Sequence, residues 1–142
     1  MKKLTKNNKG FSLIELIIVI AIMAVLVAII APNLTKYLGT SKKNTDKKNA
    51  DELASQIQTC ITDYETTNGY LGSYSLSWTS SGLTAGSNTT FEGIVDSAIT
   101  SSTASKEVTG GYASATITPK DASDNSKGYT VSVTLGNATV SK

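Results

Sequence analysis

The 142-residue chain is 39% hydrophobic but only 6% aromatic, and its formal net charge is +2. It has no histidine, and all 13 of its basic residues are lysines. It therefore lacks the usual general base, the commonest metal ligand and the guanidinium that binds phosphate through two nitrogens. Cys60 is the single cysteine, which excludes an intramolecular disulfide and a thiolate metal cluster. The composition argues against an enzyme and predicts neither a cofactor nor a metal site.

Apolar residues are concentrated near the N-terminus. Between Phe11 and Ala31 only Ser12 and Glu15 are polar, whereas most of the 20 threonines and 18 serines lie further along the chain. As a helix, this apolar run would be about 32 Å long, enough to cross the hydrocarbon core of a bilayer. Four lysines precede it: Lys2, Lys3, Lys6 and Lys9.

Three interpretations of this run compete. A secretory signal peptide has a shorter apolar core and a small-x-small cleavage site, but here the run is long and leads into Pro32. A simple membrane anchor fits the length, but it leaves Glu15 inside the hydrocarbon. A carboxylate there costs on the order of 3 kcal/mol at the helix centre and calls for a partner. The third interpretation supplies that partner.

The sequence from Lys9 to Leu16, KGFSLIEL, followed by an apolar helix and Pro32, resembles the class III signal of type IV prepilins and the related pseudopilins. The resemblance implies that a prepilin peptidase cleaves between Gly10 and Phe11 and that the new amine of Phe11 is N-methylated. It also implies that Glu15 forms a salt bridge with the Phe11 amine of a neighbouring subunit, and that Pro32 kinks the helix. A proline there removes one backbone hydrogen bond in any case.

The segment after Pro32 has the pattern of an amphipathic helix. Apolar residues recur every three or four positions and form one stripe: Ala50, Leu53, Ala54, Ile57, Cys60, Ile61 and Tyr64. Asn68 and Gly69 suit a helix C-terminus, so we predict one long helix from about Phe11 to Thr67. Cys60 lies on the stripe, where we interpret it as a small apolar residue beneath a sheet and not as a reactive thiol.

Beyond Gly69 the pattern changes to strands. Residues 112–118 and 129–135 alternate with period two, and Gly136-Asn137 leads into a short strand at 138–140. Together they predict an antiparallel meander that covers the helix stripe. Alternation at Tyr74, Leu76 and Trp78 predicts a further strand. Thr89 and Glu92 have the spacing of a capping box, which predicts a short helix near residues 90–100.

We therefore predict an α+β protein with the type IV pilin fold, in which a long N-terminal helix packs against a small antiparallel sheet. The expected divisions are a cleaved leader at 1–10, a transmembrane and filament-core helix at 11–35, an amphipathic helix at 36–67, and a β-rich head at 68–142. The absence of disulfides and arginine is similar to pilins of Gram-positive clostridia.

The resemblance implies a single-pass membrane precursor that becomes the major subunit of a surface type IV pilus, serving adhesion or twitching motility. Its expected partners are other pilin subunits, prepilin peptidase, the assembly platform protein with its ATPase, membrane lipid before assembly, and a host or substrate surface. The alternative is a major pseudopilin of a type II secretion or DNA-uptake system.

Two surface features remain open at this level. Asp121, Asp124 and Asn125 lie in one loop, as do the calcium ligands of some pseudopilins, but they lack the regular spacing and closing glutamate of an EF-hand. We interpret the loop as a solvated turn. The lysines between residues 42 and 48 could contact anionic lipid before assembly, or acids of a neighbouring subunit after it, or only solvent.

Overall fold

The computed structural model describes residues 10–84, 86–99, 101 and 103–142. The elements are α1 (Leu13–Asn68), β1 (Tyr74–Thr79), β2 (Gly82–Leu83), α2 (Thr89–Ala98), β3 (Ser114–Pro119), a 3-10 turn (Asn125–Lys127), β4 (Tyr129–Leu135) and β5 (Ala138–Ser141). The α+β class, with a long N-terminal helix followed by a small antiparallel sheet, is confirmed.

The chain divides into two compact units, one ending at Leu38 and one covering Gly39–Lys142. In the first unit α1 is apolar on all sides from Leu16 to Ala31, and the large apolar side chains of this unit are between 45% and 77% exposed from Leu13 onward. In the second unit α1 buries a single stripe, as the three-and-four spacing predicts: Ala50, Leu53, Ala54, Ile57, Cys60 and Ile61.

The sheet of the second unit has five antiparallel strands in the order β2-β1-β3-β4-β5. The predicted meander is confirmed as β3-β4-β5, and the predicted extra strand is β1, which pairs with β3. The register aligns Ile117 with Val131, and Val133 with Val140. Because side chains alternate between the faces of a strand, this register gathers the apolar residues on one face.

That apolar face and the helix stripe form one core. Ile57 of the helix and Ile117 and Val131 of the sheet are fully buried, and Trp78 is 6% exposed. Burying a side chain of this size contributes about 1.5–3 kcal/mol relative to leaving it in water. The stripe therefore has little stability as an isolated helix face and depends on the sheet that covers it.

Glycines end the helix and turn the sheet. Gly69 follows α1 with φ of +82° and donates its N–H to the carbonyl of Glu65 at 3.3 Å, which is the predicted helix end. Gly136, with φ of +60°, turns the chain between β4 and β5. A side chain at either position would strain the backbone.

The predicted capping box at α2 is wrong, although the helix is present. The residue that caps it is Asn88, whose Oδ1 accepts the N–H of Phe91 at 3.0 Å. Glu92 does not reach back to Thr89; it accepts the N–H of Gly86 at 2.6 Å and the hydroxyl of Tyr74. The long-range partner Tyr74 holds this carboxylate in a nearly buried position, so the local pattern does not decide its contacts.

The other face of the sheet consists entirely of hydroxyl side chains over β1, β3, β4 and β5. Cross-strand neighbours are hydrogen-bonded in places, with Ser132 Oγ 2.7 Å from Ser141 Oγ and Thr134 Oγ1 3.1 Å from Thr139 Oγ1. The outward residues are Ser75, Ser77, Thr79, Ser114, Thr116, Thr118, Thr130, Ser132, Thr134, Thr139 and Ser141. This surface carries neither charge nor large apolar groups.

Candidate functional site

The first unit presents an apolar surface to its surroundings. By length and composition, α1 could cross a membrane, and none of its most apolar stretch is buried within the chain. The side chains of Ile17, Ile22 and Leu26 are all more than half exposed. Leaving so large an apolar surface in water is unfavourable, so the segment calls for lipid or another protein surface.

Two predicted processing residues lie at the start of this surface. Gly10 and Phe11 precede the helix, and the Phe11 side chain is 89% exposed. The residues of the predicted leader before Gly10 lie outside the described part of the structure. The peptide bond between Gly10 and Phe11 thus lies outside the helix, and cleavage there stays a prediction.

Glu15 caps the helix on which it lies. The backbone N–H of Ser12 donates to Glu15 Oε2 at 2.8 Å, and the N–H of Leu16 donates to the carbonyl of Ser12 at 3.2 Å. This is the glutamate half of a capping box, for which the Ser-x-x-Glu spacing is the sequence signal. This cap was not among the features predicted from the sequence. The contact satisfies one carboxylate oxygen and places the negative charge at the positive end of the helix.

Pro32 lies within α1, where the helix continues on both sides of it. Proline cannot donate to the carbonyl four residues before it. Polar side chains hydrogen-bond to the backbone around this point: Asn33 Nδ2 donates to the carbonyl of Ile29 at 3.2 Å, and Thr35 Oγ1 donates to that of Pro32 at 3.0 Å. The kink at Pro32 stays a prediction.

A buried carboxylate fixes the head to α1. Asp46 is fully buried and accepts hydrogen bonds from Ser105 Oγ at 2.6 Å, from the N–H of Lys106 at 2.7 Å and from the N–H of Glu107 at 3.0 Å. Burial by itself raises the pKa of Asp46, but these hydrogen bonds outweigh it, so the pKa lies below its usual value. This contact has no local sequence signal, because its partners lie some 60 positions away.

Two tyrosine hydroxyls of the second unit each bond to a carboxylate and to a backbone N–H. Tyr129 donates its hydroxyl to Glu65 and accepts the N–H of Leu71 at 3.2 Å. Burial and the Glu65 hydrogen bond raise the pKa of Tyr129 to about 12. Tyr74 donates to Glu92 and accepts the N–H of Asn88 at 3.0 Å. Both hydroxyls have structural partners, so these rings serve the fold more than they serve ligand binding.

Cys60 has the environment expected of a packing residue. It is 2% exposed on the helix stripe, within the hydrophobic core of the second unit. Burial, together with the nearby charge of Asp63, raises the pKa of its thiol. A thiol with a raised pKa is a poor nucleophile at neutral pH, which agrees with the interpretation from the sequence.

The acidic loop before β4 is closed by a lysine. Lys127 Nζ lies 2.5 Å from Asp121 Oδ2 and 3.9 Å from Asp124 Oδ2, while the other oxygen of each aspartate accepts the backbone N–H of a following serine. The Lys127 and Ser123 hydrogen bonds lower the pKa of Asp121 to about 2. The side chain of Asn125 lies outside the described part of the structure. The lysine ammonium thus lies beside both carboxylates and offsets part of their negative charge.

Calcium is therefore expected to leave the stability of the protein unchanged. In the full chain in detergent, replacing calcium with a chelator should shift the melting temperature by less than about 1 °C, because a ligand that does not bind the native state cannot stabilise it. The variant to compare is Lys127→Ala, because it leaves the carboxylates of Asp121 and Asp124 without the cation that lies beside them. A clear rise in the melting temperature of the unaltered protein with calcium would contradict this prediction.

A comparison with known families matches the N-terminal segment of the chain. Residues 5–31 match the family model described as the prokaryotic N-terminal methylation motif. No solved structure matches the chain significantly.

Three curated relatives match part of the chain. The type IV major fimbrial protein FimA of Dichelobacter nodosus is 34% identical over 79 residues, which are 56% of this chain and 48% of FimA. Prepilin peptidase-dependent protein A of Clostridium perfringens is 37% identical over 60 residues, covering 41% and 43% of the two chains. Competence protein ComGC of Bacillus subtilis is 34% identical over 59 residues, covering 42% and 56%. The matched part of the chain thus spans about half the length of these relatives.

Proposed function

We propose that the chain is a type IV pilin and the major subunit of a type IV pilus, because its residues 5–31 match the N-terminal methylation motif. The observation that carries this proposal is the exposed apolar surface of the first unit, which has one carboxylate, Glu15, close to its start. A polymer of such helices would bury that surface and supply a partner for the charge. In this role the chain is a structural subunit and not an enzyme.

Maturation would begin in the membrane. The precursor is proposed to lie in the bilayer as a single-pass protein, with its leader on the cytoplasmic side, where prepilin peptidase cleaves between Gly10 and Phe11. The new Phe11 amine would then be N-methylated. Cleavage removes four of the 13 lysines and none of the 11 acids. The side chains of the mature chain would therefore carry nine positive and 11 negative charges, a net charge of −2.

Assembly would transfer the apolar segment from lipid to the filament core. Helix association in such a setting is driven by packing and polar pairing, since lipid tails are as apolar as leucine. Glu15 would pair with the Phe11 amine of a neighbouring subunit and so set the stagger between helices. A platform protein and its ATPase would supply the machinery, and the finished filament would lie on the cell surface and contact a host or substrate surface in adhesion or motility.

A pseudopilin of a DNA-uptake or secretion system is the second candidate. The similarity to competence protein ComGC favours it, because the matched region covers more than half of that protein. The two roles differ in the length of the polymer. Surface filaments many subunits long, seen by electron microscopy, would support the pilus, whereas short periodic assemblies confined to the cell envelope would support the pseudopilus.

The N-terminus of the polymerised chain tests the proposal. Mass spectrometry of sheared filaments is expected to find a chain that begins at Phe11 and carries one methyl group. Gly10→Val, which places a branched side chain at the scissile bond, should leave uncleaved precursor in the membrane, whereas the leader variant Asn8→Ala should be processed normally. Filaments whose subunits still begin at Met1 would refute the proposed maturation.

A further inference from the structure

The sheet of the second unit ends in two edge strands of different length. At one edge, β2 consists of only Gly82 and Leu83. At the other, β5 covers Ala138–Ser141, and Lys142 continues its pairing with β4 by exchanging backbone hydrogen bonds with Val131 at 2.8 and 3.0 Å. A very short edge strand offers few hydrogen-bonding groups to another chain. β5 is therefore the edge that can accept a further strand.

The pairing with β4 determines which backbone groups of β5 point away from the sheet. In an antiparallel pair, every second residue directs its N–H and C=O to the partner strand. Lys142 faces β4 in this way, so Val140, two residues earlier, does so too. The N–H and C=O of Thr139 and Ser141 therefore point outward, and both residues are exposed. Among the described residues, no strand other than β4 pairs with β5.

β5 lacks the features that commonly prevent an edge strand from pairing. Its four residues include neither a proline nor a charged side chain. Lys142 follows directly, but its Nζ lies against the helix, 3.0 Å from Asp51 Oδ2 and 2.7 Å from Ser55 Oγ. A lysine protects an edge when its charge stands beside the open backbone groups. Here the charge lies at the helix, so the edge itself is neutral.

The side chains of β5 are arranged symmetrically about Val140. Thr139 and Ser141 place hydroxyls on the outer face, whereas Val140 lies on the inner face, partly buried against the core. β4 presents the same order of hydroxyl, valine and hydroxyl to this strand, and the paired hydroxyl oxygens lie 2.7 and 3.1 Å apart. A second β5 strand has the order of side chains with which β5 already pairs.

We propose that two copies of this chain pair through their β5 edges, in antiparallel orientation and centred on Val140. In this register, Thr139 of each copy lies opposite Ser141 of the other, and each of these pairs exchanges backbone N–H and C=O hydrogen bonds. The hydroxyls of the same residues would meet on the outer face, and the two Val140 side chains on the inner face. One sheet would then continue through both copies.

A second copy suits this edge better than an unrelated peptide does. A foreign strand that adds to a sheet is selected by pockets that take its alternate side chains. The outer face next to β5 has small hydroxyl side chains, those of Ser132 and Thr134, and these match a strand that carries hydroxyls at the same spacing. β5 is such a strand. Its four residues are uncharged, so pairing two of them brings no like charges together.

Such a contact is closed. Both copies use the same surface, so a pair has no further β5 edge to offer. The inference does not rest on the proposed function, because β5 and the strands beside it belong to the second unit alone. If the chain forms a filament, a two-fold contact cannot be repeated along a row of copies that all point in one direction. It would instead join copies that belong to two filaments.

Cysteine cross-linking of the full chain in detergent tests this pairing. In the proposed register, the two Val140 residues form a non-hydrogen-bonded pair with Cα atoms about 4.5 Å apart, which suits a disulfide. Val140→Cys should therefore give a covalent dimer on a non-reducing gel after mild oxidation. Cys60 is 2% exposed within the core, so the unaltered chain should give no dimer and is the negative control.

Ser141→Cys is the matched control. The residue at this position is more exposed than Val140, so random collisions would cross-link it more readily. In the proposed register, however, the two residues 141 are displaced by two positions along the strands, and their Cα atoms lie about 8 Å apart, too far for a disulfide. The dimer yield of Val140→Cys should exceed that of Ser141→Cys by more than about fivefold. Equal yields would overturn the inference.

Charge at the edge should prevent the pairing. Thr139→Lys with Ser141→Lys, added to Val140→Cys, places lysines opposite each other across the contact, where like charges are unfavourable. The dimer yield should fall to that of the matched control. Thr139→Pro, which removes an N–H that β4 does not use, should act alike. Trp78 fluorescence in a melting series checks that each variant is folded.

An undiminished dimer yield from either folded variant would overturn the inference. Its failure and that of the proposed function can be told apart, because the cross-link is measured on dispersed protein, whereas the proposed function depends on filaments and on the processed N-terminus.

Discussion

Replacing Glu15 with alanine is expected to lower the yield of surface filaments by more than about hundredfold, because removing one partner of a buried ion pair costs about 3–5 kcal/mol. In the proposed filament, the Phe11 amine of a neighbour would be left as an unpaired charge in an apolar core. The measurement is the ratio of sheared filaments to membrane-bound subunit. The subunit itself should accumulate normally in the membrane, because the substitution removes the unfavourable free energy of placing a lone carboxylate in the bilayer.

Glu15→Gln separates the two contacts available to this side chain. Glutamine can still accept the N–H of Ser12, which Glu15 contacts at 2.8 Å, but it has no charge to neutralise an amine. If pairing with a neighbour is essential, Gln should assemble as poorly as Ala. Normal assembly of Glu15→Gln would mean that the carboxylate matters for helix capping, and the pairing hypothesis would be wrong.

Asp46→Asn is expected to reduce the free energy of unfolding of the second unit by about 3 kcal/mol, and so to lower its melting temperature by about 10–20 °C. The carboxylate accepts three hydrogen bonds in full burial, and an amide can replace only part of them, since its NH₂ group would face backbone donors. Trp78, the single tryptophan, is 6% exposed in the same unit and reports unfolding by fluorescence.

Asp51→Asn is the control for Asp46, because it makes the same change on an exposed carboxylate of the same helix. Asp51 contacts Lys142 Nζ at 3.0 Å on the surface, and such pairs contribute at most about 1 kcal/mol. An Asp46→Asn variant as stable as Asp51→Asn would contradict the anchoring role of Asp46.

The pH dependence follows from the lowered pKa of Asp46. A carboxyl with a lower pKa in the folded state stabilises the protein above its unfolded pKa, and this contribution is lost as the pH falls through the folded value. Between the usual aspartate pKa of 3.8 and the lowered one, the unaltered protein should therefore lose stability on acidification. The difference in free energy of unfolding between the unaltered protein and Asp46→Asn should become smaller over the same pH range. Melting curves recorded in a series of acidic buffers would measure this change.

Features with a local pattern could be predicted from the sequence. The stripe from Ala50 to Ile61, the alternation in β3 and β4, and the glycine after Asn68 each follow from a short spacing rule, and each is present in the structure. The apolar run and the KGFSLIEL sequence at its start could be recognised in the same way, because each is contiguous in the chain.

Contacts between distant residues could not be predicted in this way. Asp46 lies in a lysine-rich stretch whose polar pattern predicts a solvated segment, and only the loop at Ser105 makes its burial favourable. Glu92 follows Thr89 at capping-box spacing, but Tyr74, 18 residues earlier, determines where its carboxylate lies. The Lys127 ammonium between Asp121 and Asp124 likewise depends on how the loop folds back.

The outer face of the sheet has a consequence for how the molecule responds to its medium. Serine and threonine hydroxyls neither gain nor lose protons over the pH range in which proteins are stable. The eleven outward side chains of the four strands therefore keep the same charge, zero, in acid and in alkali. A change in pH therefore alters the charges of the helix and the loops. The outer face of the sheet presents the same hydrogen-bond donors and acceptors to water over the whole pH range.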